Sequence, residues 1–123
     1  TLEYIHLHKT GALLKACVRT GAMIAGANDN LLEALTTYAE GIGLAFQIID
    51  DILDITSSSE TLGKTAGKDL LADKTTYPKL LGMEESKKKA LNLVKKAKEA
   101  IEPWGSDAKY LIALADFITN RDR

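Results

Sequence analysis

Residues 31–55 read LLEALTTYAEGIGLAFQIIDDILDI and carry the strongest periodic pattern in the chain. Apolar side chains recur there in steps of three and four residues: Leu31, Leu35, Tyr38, Ile42, Phe46, Ile49 and Leu53. An α-helix has 3.6 residues per turn, so this spacing puts them on one side of a helix. We predict a helix from Leu31 to about Ile55. Asn28 to Asn30 offer N-caps, and the run from Thr56 to Ser59 is expected to end it.

The sequence before this stretch predicts another long helix. Leu2 to about Ala27 contains no proline. Its apolar residues spread around more than half of the helical wheel, so we expect this helix to be largely buried. They are Leu2, Ile5, Leu13, Leu14, Cys17, Val18, Met23 and Ile24.

The sequence after it predicts shorter helices and no strand of comparable strength. Lys79 to Met83 fits one helical turn, and Glu84 to about Ile101 fits an amphipathic helix that Pro103 and Gly105 end. Ser106 or Asp107 then caps a last helix. In the helix from Glu84 to Ile101, the side chains expected to face inward are Ala90, Leu91, Val94, Ala97 and Ile101. The last helix carries Tyr110, Leu111, Leu114, Ala115 and Ile118. The predicted fold class is all-α, a helical bundle.

Composition excludes several classes of protein. The 123 residues suit one domain, and 46% hydrophobic with 27% charged residues excludes disorder and fibrous repeats. Sixteen Lys and Arg against seventeen Asp and Glu give a net charge of −1, without the basic excess typical of nucleic-acid binders. The single cysteine, Cys17, cannot form an internal disulfide and favours a reducing compartment. No apolar run approaches the roughly 20 residues that span a bilayer.

Acidic residues cluster on the polar side of the predicted central helix. At about 100° per residue, Gln47, Asp50, Asp51 and Asp54 fall within an arc of roughly 100°. Aspartate is a poor residue inside helices, and such conflicts with local propensity concentrate at functional sites. Mg²⁺ relieves the repulsion between carboxylates and is bound by one or two of them together with phosphate oxygens and water. The alternative is that these residues have no ligand. In that case Thr36, Glu40, Gln47 and the aspartates simply form a solvated face of the helix.

A lysine-rich segment follows about ten residues later. Leu62 to Asp69 reads LGKTAGKD, and Lys74 to Pro78 reads KTTYP. A P-loop is excluded because the spacing is one residue short and Lys68 is followed by Asp69. An EF-hand is excluded because its ligands alternate around a glycine at the sixth position. Two interpretations stay open: an ordinary solvated loop with a short helix around residues 69–73, or the cationic rim of a metal–diphosphate site.

The first predicted helix also contains a lysine among mostly apolar residues. Lys9 and Thr10 lie in a predicted buried helix, beside His6 and His8. A buried ammonium group needs an anionic partner, and a phosphate would serve as one.

Four motifs in this order resemble the trans-type prenyl diphosphate synthases, above all the geranylgeranyl and farnesyl diphosphate synthases of bacteria and plastids. They are His8-Lys9-Thr10, Phe46-Gln47-Ile48-Ile49-Asp50-Asp51-Ile52-Leu53-Asp54, Gly63-Lys64-Thr65-Ala66-Gly67-Lys68-Asp69 and Lys74-Thr75-Thr76-Tyr77-Pro78. The resemblance extends to residues 113–118 and covers essentially the whole chain. It implies the all-α fold of isoprenoid synthases.

The resemblance also implies an activity and a set of site residues. Family members join an allylic diphosphate to isopentenyl diphosphate and release pyrophosphate. By resemblance, Asp50 and Asp51 bind Mg²⁺, with Asp54 in support. The residues implied to bind the allylic diphosphate are Lys9, Thr10, Gln47, Lys64 and Lys74, and Lys9, Thr10 and Gln47 are also the implied catalytic residues.

One feature of the family is missing from this sequence. The family's first aspartate-rich motif and its pair of arginines are absent, since Asp50-Asp51 is the only pair of adjacent aspartates. We therefore expect residues 1–123 to be the C-terminal part of one such domain, truncated at its N-terminus and inactive alone.

The resemblance implies partners and a location as well. The partners are the missing N-terminal part of the same enzyme and a second copy in a homodimer, without nucleic acid. The location is the bacterial cytoplasm or the plastid stroma. Two alternatives stay open: a non-catalytic partner or regulatory helical subunit of a prenyl synthase, and a relative of the terpene cyclases.

Overall fold

A computed structural model describes residues 11–60 and 77–120 of the chain. In these two ranges the secondary structure is helical, without strands. The elements are α1 (Ala12–Ile24), α2 (Asp29–Glu60), α3 (Tyr77–Leu81), α4 (Met83–Ile101), a 3₁₀ helix (Glu102–Ala108) and α5 (Lys109–Asn120). The predicted all-α class is confirmed.

The central helix α2 is longer than its sequence predicts. It begins as expected, since the side-chain oxygen of Asn28 accepts a hydrogen bond from the backbone amide of Leu31 at 2.8 Å. It then continues through the run from Thr56 to Ser59 and ends at Glu60, so the predicted end was wrong. The hydroxyl of Thr56 bonds back to the carbonyl of Ile52 at 3.0 Å, which satisfies its side chain inside the helix.

The buried core lies between α2 and the helices α4 and α5. Tyr38, Ile42 and Ile48 of α2 are fully buried, together with Ile101 of α4. The packing between α2 and α4 is the most extensive contact between helices among the described residues. Since apolar residues cover most of the circumference of α2, its polar residues are confined to a narrow strip.

The ends of the later helices largely follow the predictions. α4 ends at Ile101, and the chain turns at Gly105, whose φ of 57° lies in the left-handed region. The single turn α3 begins two residues earlier than expected and includes Pro78, which is tolerated in the first turn of a helix. In the two described ranges, no helix combines the length and apolarity needed to cross a membrane.

Several side chains predicted to be buried are exposed. Leu13 is 66% exposed and Ile24 is 82% exposed, and Cys17 and Met23 of α1 are exposed as well. Leu91 of α4, expected to face inward, is also exposed, and so are Tyr110 and Leu114 of α5. Within the described residues α1 packs mainly against α2, so only one of its faces is covered. The expectation of a largely buried first helix was therefore wrong for the part that the structure describes.

Tyr38 connects the central helix to α5. Its hydroxyl donates a hydrogen bond of 2.6 Å to the carbonyl oxygen of Leu111, and its side chain is fully buried. Burial raises the pKa of Tyr38 to about 12, because the low-dielectric surroundings disfavour the tyrosinate.

We expect this shift to make the protein less stable at high pH. An unfolded tyrosine titrates near pH 10, so between about pH 10 and 12 the unfolded state releases a proton that the folded state keeps. The stabilisation is complete below pH 10 and is lost as the pH rises towards 12. From about pH 9 to 11, unfolding should become easier by about 1.4 kcal/mol relative to a Tyr38→Phe variant. Urea unfolding of both full-length proteins measures this difference, and parallel pH profiles would contradict it.

Candidate functional site

The predicted acidic residues lie on one unbroken helix. Because α2 is helical from Asp29 to Glu60, Gln47, Asp50 and Asp54 recur on the same side in steps of three and four residues. Gln47, Asp50 and Asp51 are partly buried, and Asp54 is exposed. Ile48, Ile49 and Ile52 point to the other side and are buried in the core. The acidic residues therefore lie on a partly exposed polar side of α2, and the apolar side of the same helix packs into the core.

The donor chemistry of this face fits a hard divalent cation. Carboxylate oxygens are the ligands that Mg²⁺ prefers, and it usually retains waters and substrate phosphate oxygens beside one or two carboxylates. Among residues 11–60 and 77–120, no three Asp, Glu, His or Cys side chains converge as a metal site by themselves. Because Mg²⁺ needs only one or two carboxylates beside water and phosphate oxygens, the donor chemistry of Asp50 and Asp51 is compatible with this ion.

Helix α1 runs antiparallel to α2 along the same polar side. Arg19 donates a hydrogen bond of 2.7 Å to the hydroxyl of Thr36. One turn further along α2, the ammonium of Lys15 lies 2.9 Å from the carboxylate of Glu40. We call these two pairs the α1–α2 ladder. Thr36 and Glu40 therefore both contact α1, although the Glu40 carboxylate stays exposed.

Beyond the Lys15–Glu40 pair, the two backbones approach each other closely. A Cβ atom built on Gly43 would lie 3.1 Å from the Cα atom of Gly11, and both glycines are buried. Gly43 is one helical turn before Gln47 and lies on the same side of α2. The start of the described part of the chain is therefore fixed one turn away from the acidic face.

Four predicted site residues lie outside the described residues. They are Lys9, Thr10, Lys64 and Lys74. Lys68 and the short helix predicted for residues 69–73 lie outside them too. The described residues that flank these positions lie near α2. Gly11 packs on Gly43, and α3, which begins at Tyr77, contacts α2 and α4.

Sequence reasoning missed the ladder and the pair of glycines. The sequence did contain a helical spacing in both segments. Lys15 and Arg19 are four residues apart. Thr36, Glu40 and Gly43 precede Gln47 in steps of three and four residues. The pattern extends the polar strip towards the start of α2, but it does not reveal which helix lies against it.

Comparison with known proteins identifies the family. A sequence model of the polyprenyl synthetase family matches residues 1–111, which is most of the chain.

The chain belongs to the polyprenyl synthetase family.

Similar members of the polyprenyl synthetase family cover nearly all of this chain. A dimethylallyltranstransferase of Fischerella ambigua is 54% identical over 121 residues, which are 98% of this chain and 35% of that protein. A chloroplastic geranylgeranyl pyrophosphate synthase of Capsicum annuum is 56% identical over 123 residues, or 99% of this chain and 33% of that protein. The chain thus spans about a third of the length of these relatives.

The fold agrees with that of a solved member. The apo crystal structure of an FPP/GFPP synthase from Zymomonas mobilis superposes with a TM-score of 0.76 at 33% identity. The match covers 95% of this chain and 37% of that one. The helical arrangement of the described residues is therefore the one found in a polyprenyl synthetase.

Proposed function

We propose that the full-length protein carrying this chain is a prenyltransferase that makes geranylgeranyl or farnesyl diphosphate. It condenses an allylic diphosphate with isopentenyl diphosphate: the allylic carbon–oxygen bond breaks, a carbon–carbon bond forms, one proton leaves and pyrophosphate is released. The observation that carries the proposal is the acidic face of α2, with three aspartates in five positions on one continuous helix. The names of the relatives agree with this class of reaction.

The proposed roles follow from the charge that develops on the leaving group. Asp50 and Asp51 hold Mg²⁺ in this proposal, with Asp54 in support. When bound, Mg²⁺ neutralises the negative charge of the departing pyrophosphate. Lys9, Lys64 and Lys74 bind the oxygens of the same diphosphate as point charges.

Two uncharged residues complete the proposed site. Thr10 and Gln47 line the reacting centre and orient the allylic diphosphate through hydrogen bonds, alongside the catalytic Lys9. Gln47 suits this role because it lies partly buried between the core-facing isoleucines and the aspartates of α2. Its amide can both donate and accept hydrogen bonds.

Calorimetric titration of the full-length protein with Mg²⁺ and pyrophosphate tests the site. We expect pyrophosphate to bind about tenfold or more tightly with Mg²⁺ than without it, because each ion supplies ligands or charge that the other needs. An Asp51→Asn variant should lose most of this dependence. A non-catalytic helical subunit would bind neither ion, and pyrophosphate binding that ignores Mg²⁺ would refute the proposed metal role.

Three further features belong to the proposal. Residues 1–123 form the C-terminal part of a single synthase domain, which agrees with their share of the relatives' length. The protein functions as a homodimer, as the family resemblance implies. It resides in the bacterial cytoplasm or the plastid stroma, in keeping with the chloroplastic relative from Capsicum annuum.

A further inference from the structure

Positive charge is concentrated on the segment that contains α3 and α4. Residues 77–101 carry seven lysines and three glutamates, whereas the whole chain has a net charge of −1. The even balance of the sequence therefore conceals a basic region beside a more acidic remainder. Such asymmetry is typical of a surface that meets a negatively charged partner.

Three of these lysines line one groove on the outer side of α4. Lys88, Lys89 and Lys96 lie around an open groove of about 400 Å³, together with Leu81 of α3. Its one carboxylate, that of Glu85, lies 3.6 Å from the ammonium of Lys88, and both side chains are exposed. Because an exposed ion pair of this kind contributes little, the groove keeps an excess of positive charge that a partner can use. We call it the basic groove.

Two leucines are exposed at the edge of the basic groove. Leu80 is 60% exposed and Leu81 is 46% exposed. The corner that follows them is fixed by hydrogen bonds. The backbone amide of Gly82 donates to the carbonyl of Pro78 at 2.9 Å, and the hydroxyl of the buried Ser86 donates to the carbonyl of Gly82 at 2.8 Å. The fold therefore holds apolar side chains at the surface, beside a set of cations.

The charge of the basic groove indicates that it stays exposed in the full-length protein. Lysine is almost never fully buried unless an anion pairs with it, so a groove lined by three lysines does not suit a surface covered by further protein core. The opposite side of α4 is already occupied, since Ala90, Val94 and Ala97 are buried. The side of α4 that remains for a partner is the one that carries the lysines.

We propose that the basic groove and the two leucines dock reversibly on the surface of an anionic lipid bilayer. Each lysine near anionic headgroups adds to the attraction, and exposed leucines enter the apolar boundary below the headgroups. A free phosphate would use the lysines but leave Leu80 and Leu81 in water. Since the product of the proposed reaction joins an anionic head to a long apolar chain, docking would release it where that chain is soluble. The docking itself does not depend on the proposed function.

Sedimentation of the full-length protein with lipid vesicles tests the docking. We expect the partition coefficient to be about tenfold or more higher on vesicles of phosphatidylcholine with phosphatidylglycerol than on phosphatidylcholine alone, because each lysine at an anionic surface contributes about fivefold. Raising the salt from ~0.1 M to ~1 M should remove most of this difference by screening. Equal binding to both kinds of vesicle overturns the inference. Binding to poly-glutamate but to neither vesicle overturns it too, in favour of an acidic protein partner.

Matched pairs of substitutions locate the contact. Lys88→Gln with Lys96→Gln should lower the partition coefficient on the anionic vesicles about tenfold or more. Lys15→Gln with Lys109→Gln removes the same charge from α1 and α5 and should change it by less than about threefold. Leu80→Gln should weaken vesicle binding about threefold or more, which an attraction between charges alone does not explain. Equal losses from the two lysine pairs, or no loss from Leu80→Gln, would overturn the proposed contact.

Initial rates of prenyl transfer keep the docking separate from the proposed function. Lys88 and Lys96 are not among the proposed site residues, so their double variant should keep the wild-type rate within about twofold when vesicles are left out. A wild type that binds anionic vesicles but consumes neither substrate overturns the proposed function alone. An active wild type that ignores the vesicles overturns the docking alone.

Discussion

Replacing Asp50 by alanine in the full-length protein should lower kcat about 10²-fold or more, with a smaller change in the KM for the allylic diphosphate. Groups that neutralise charge developing on a leaving group act mainly in the transition state, so their loss reduces turnover more than binding. A factor of 100 corresponds to about 2.7 kcal/mol of transition-state stabilisation. Initial rates of isopentenyl diphosphate incorporation over a range of both substrates give the two constants.

Glu33→Ala is the control for this substitution. Glu33 is also an acidic residue of α2, but it is exposed and lies several turns before the acidic face. We expect its kcat and KM to stay within about twofold of the wild type. Similar, small effects at both positions would return Asp50 to the role of an ordinary solvated residue.

The 123-residue chain by itself should show no measurable prenyl transfer. Ionisation of an allylic diphosphate requires charge neutralisation around the whole leaving group, and this sequence offers one aspartate-rich motif where the family resemblance implies two. The chain also spans only about a third of its relatives' length.

An assay of the purified chain with allylic and isopentenyl diphosphates and Mg²⁺ checks this expectation. A fresh sample of the full-length protein, assayed at equal molar concentration, supplies the reference rate. Turnover by the 123-residue chain at a rate comparable to the reference would show that its own residues suffice.

The central helix was predictable because its information is local. The apolar steps from Leu31 to Leu53 specify both the helix and the side that is buried, and the structure agrees at Tyr38, Ile42 and Ile49. The same wheel placed the aspartates on the opposite side. The end of α2 was not predictable from composition. Whether a hydroxyl such as that of Thr56 ends a helix depends on the hydrogen bond that it makes.

A helical wheel describes one helix and cannot predict which helices contact each other. Lys15 and Glu40 are 25 residues apart, and nothing in either helix alone specifies that they meet. The exposure of Leu13 and Ile24 has the same cause, since an apolar face predicts burial but does not identify the neighbour that covers it. The acidic face was thus found from sequence, whereas the ladder and the Gly11–Gly43 contact that align α1 with it required the structure.

Product formation by the full-length protein tests the proposed prenyl transfer. Purified protein is incubated with an allylic diphosphate and labelled isopentenyl diphosphate, with Mg²⁺, with a chelator, and with Mg²⁺ restored after the chelator. We expect each coupling step to lengthen the prenyl chain and to release one equivalent of pyrophosphate, with activity lost in the chelator and recovered with Mg²⁺. Failure to consume isopentenyl diphosphate with any allylic diphosphate, or turnover that persists undiminished in the chelator, would rule out the proposed Mg²⁺-dependent reaction.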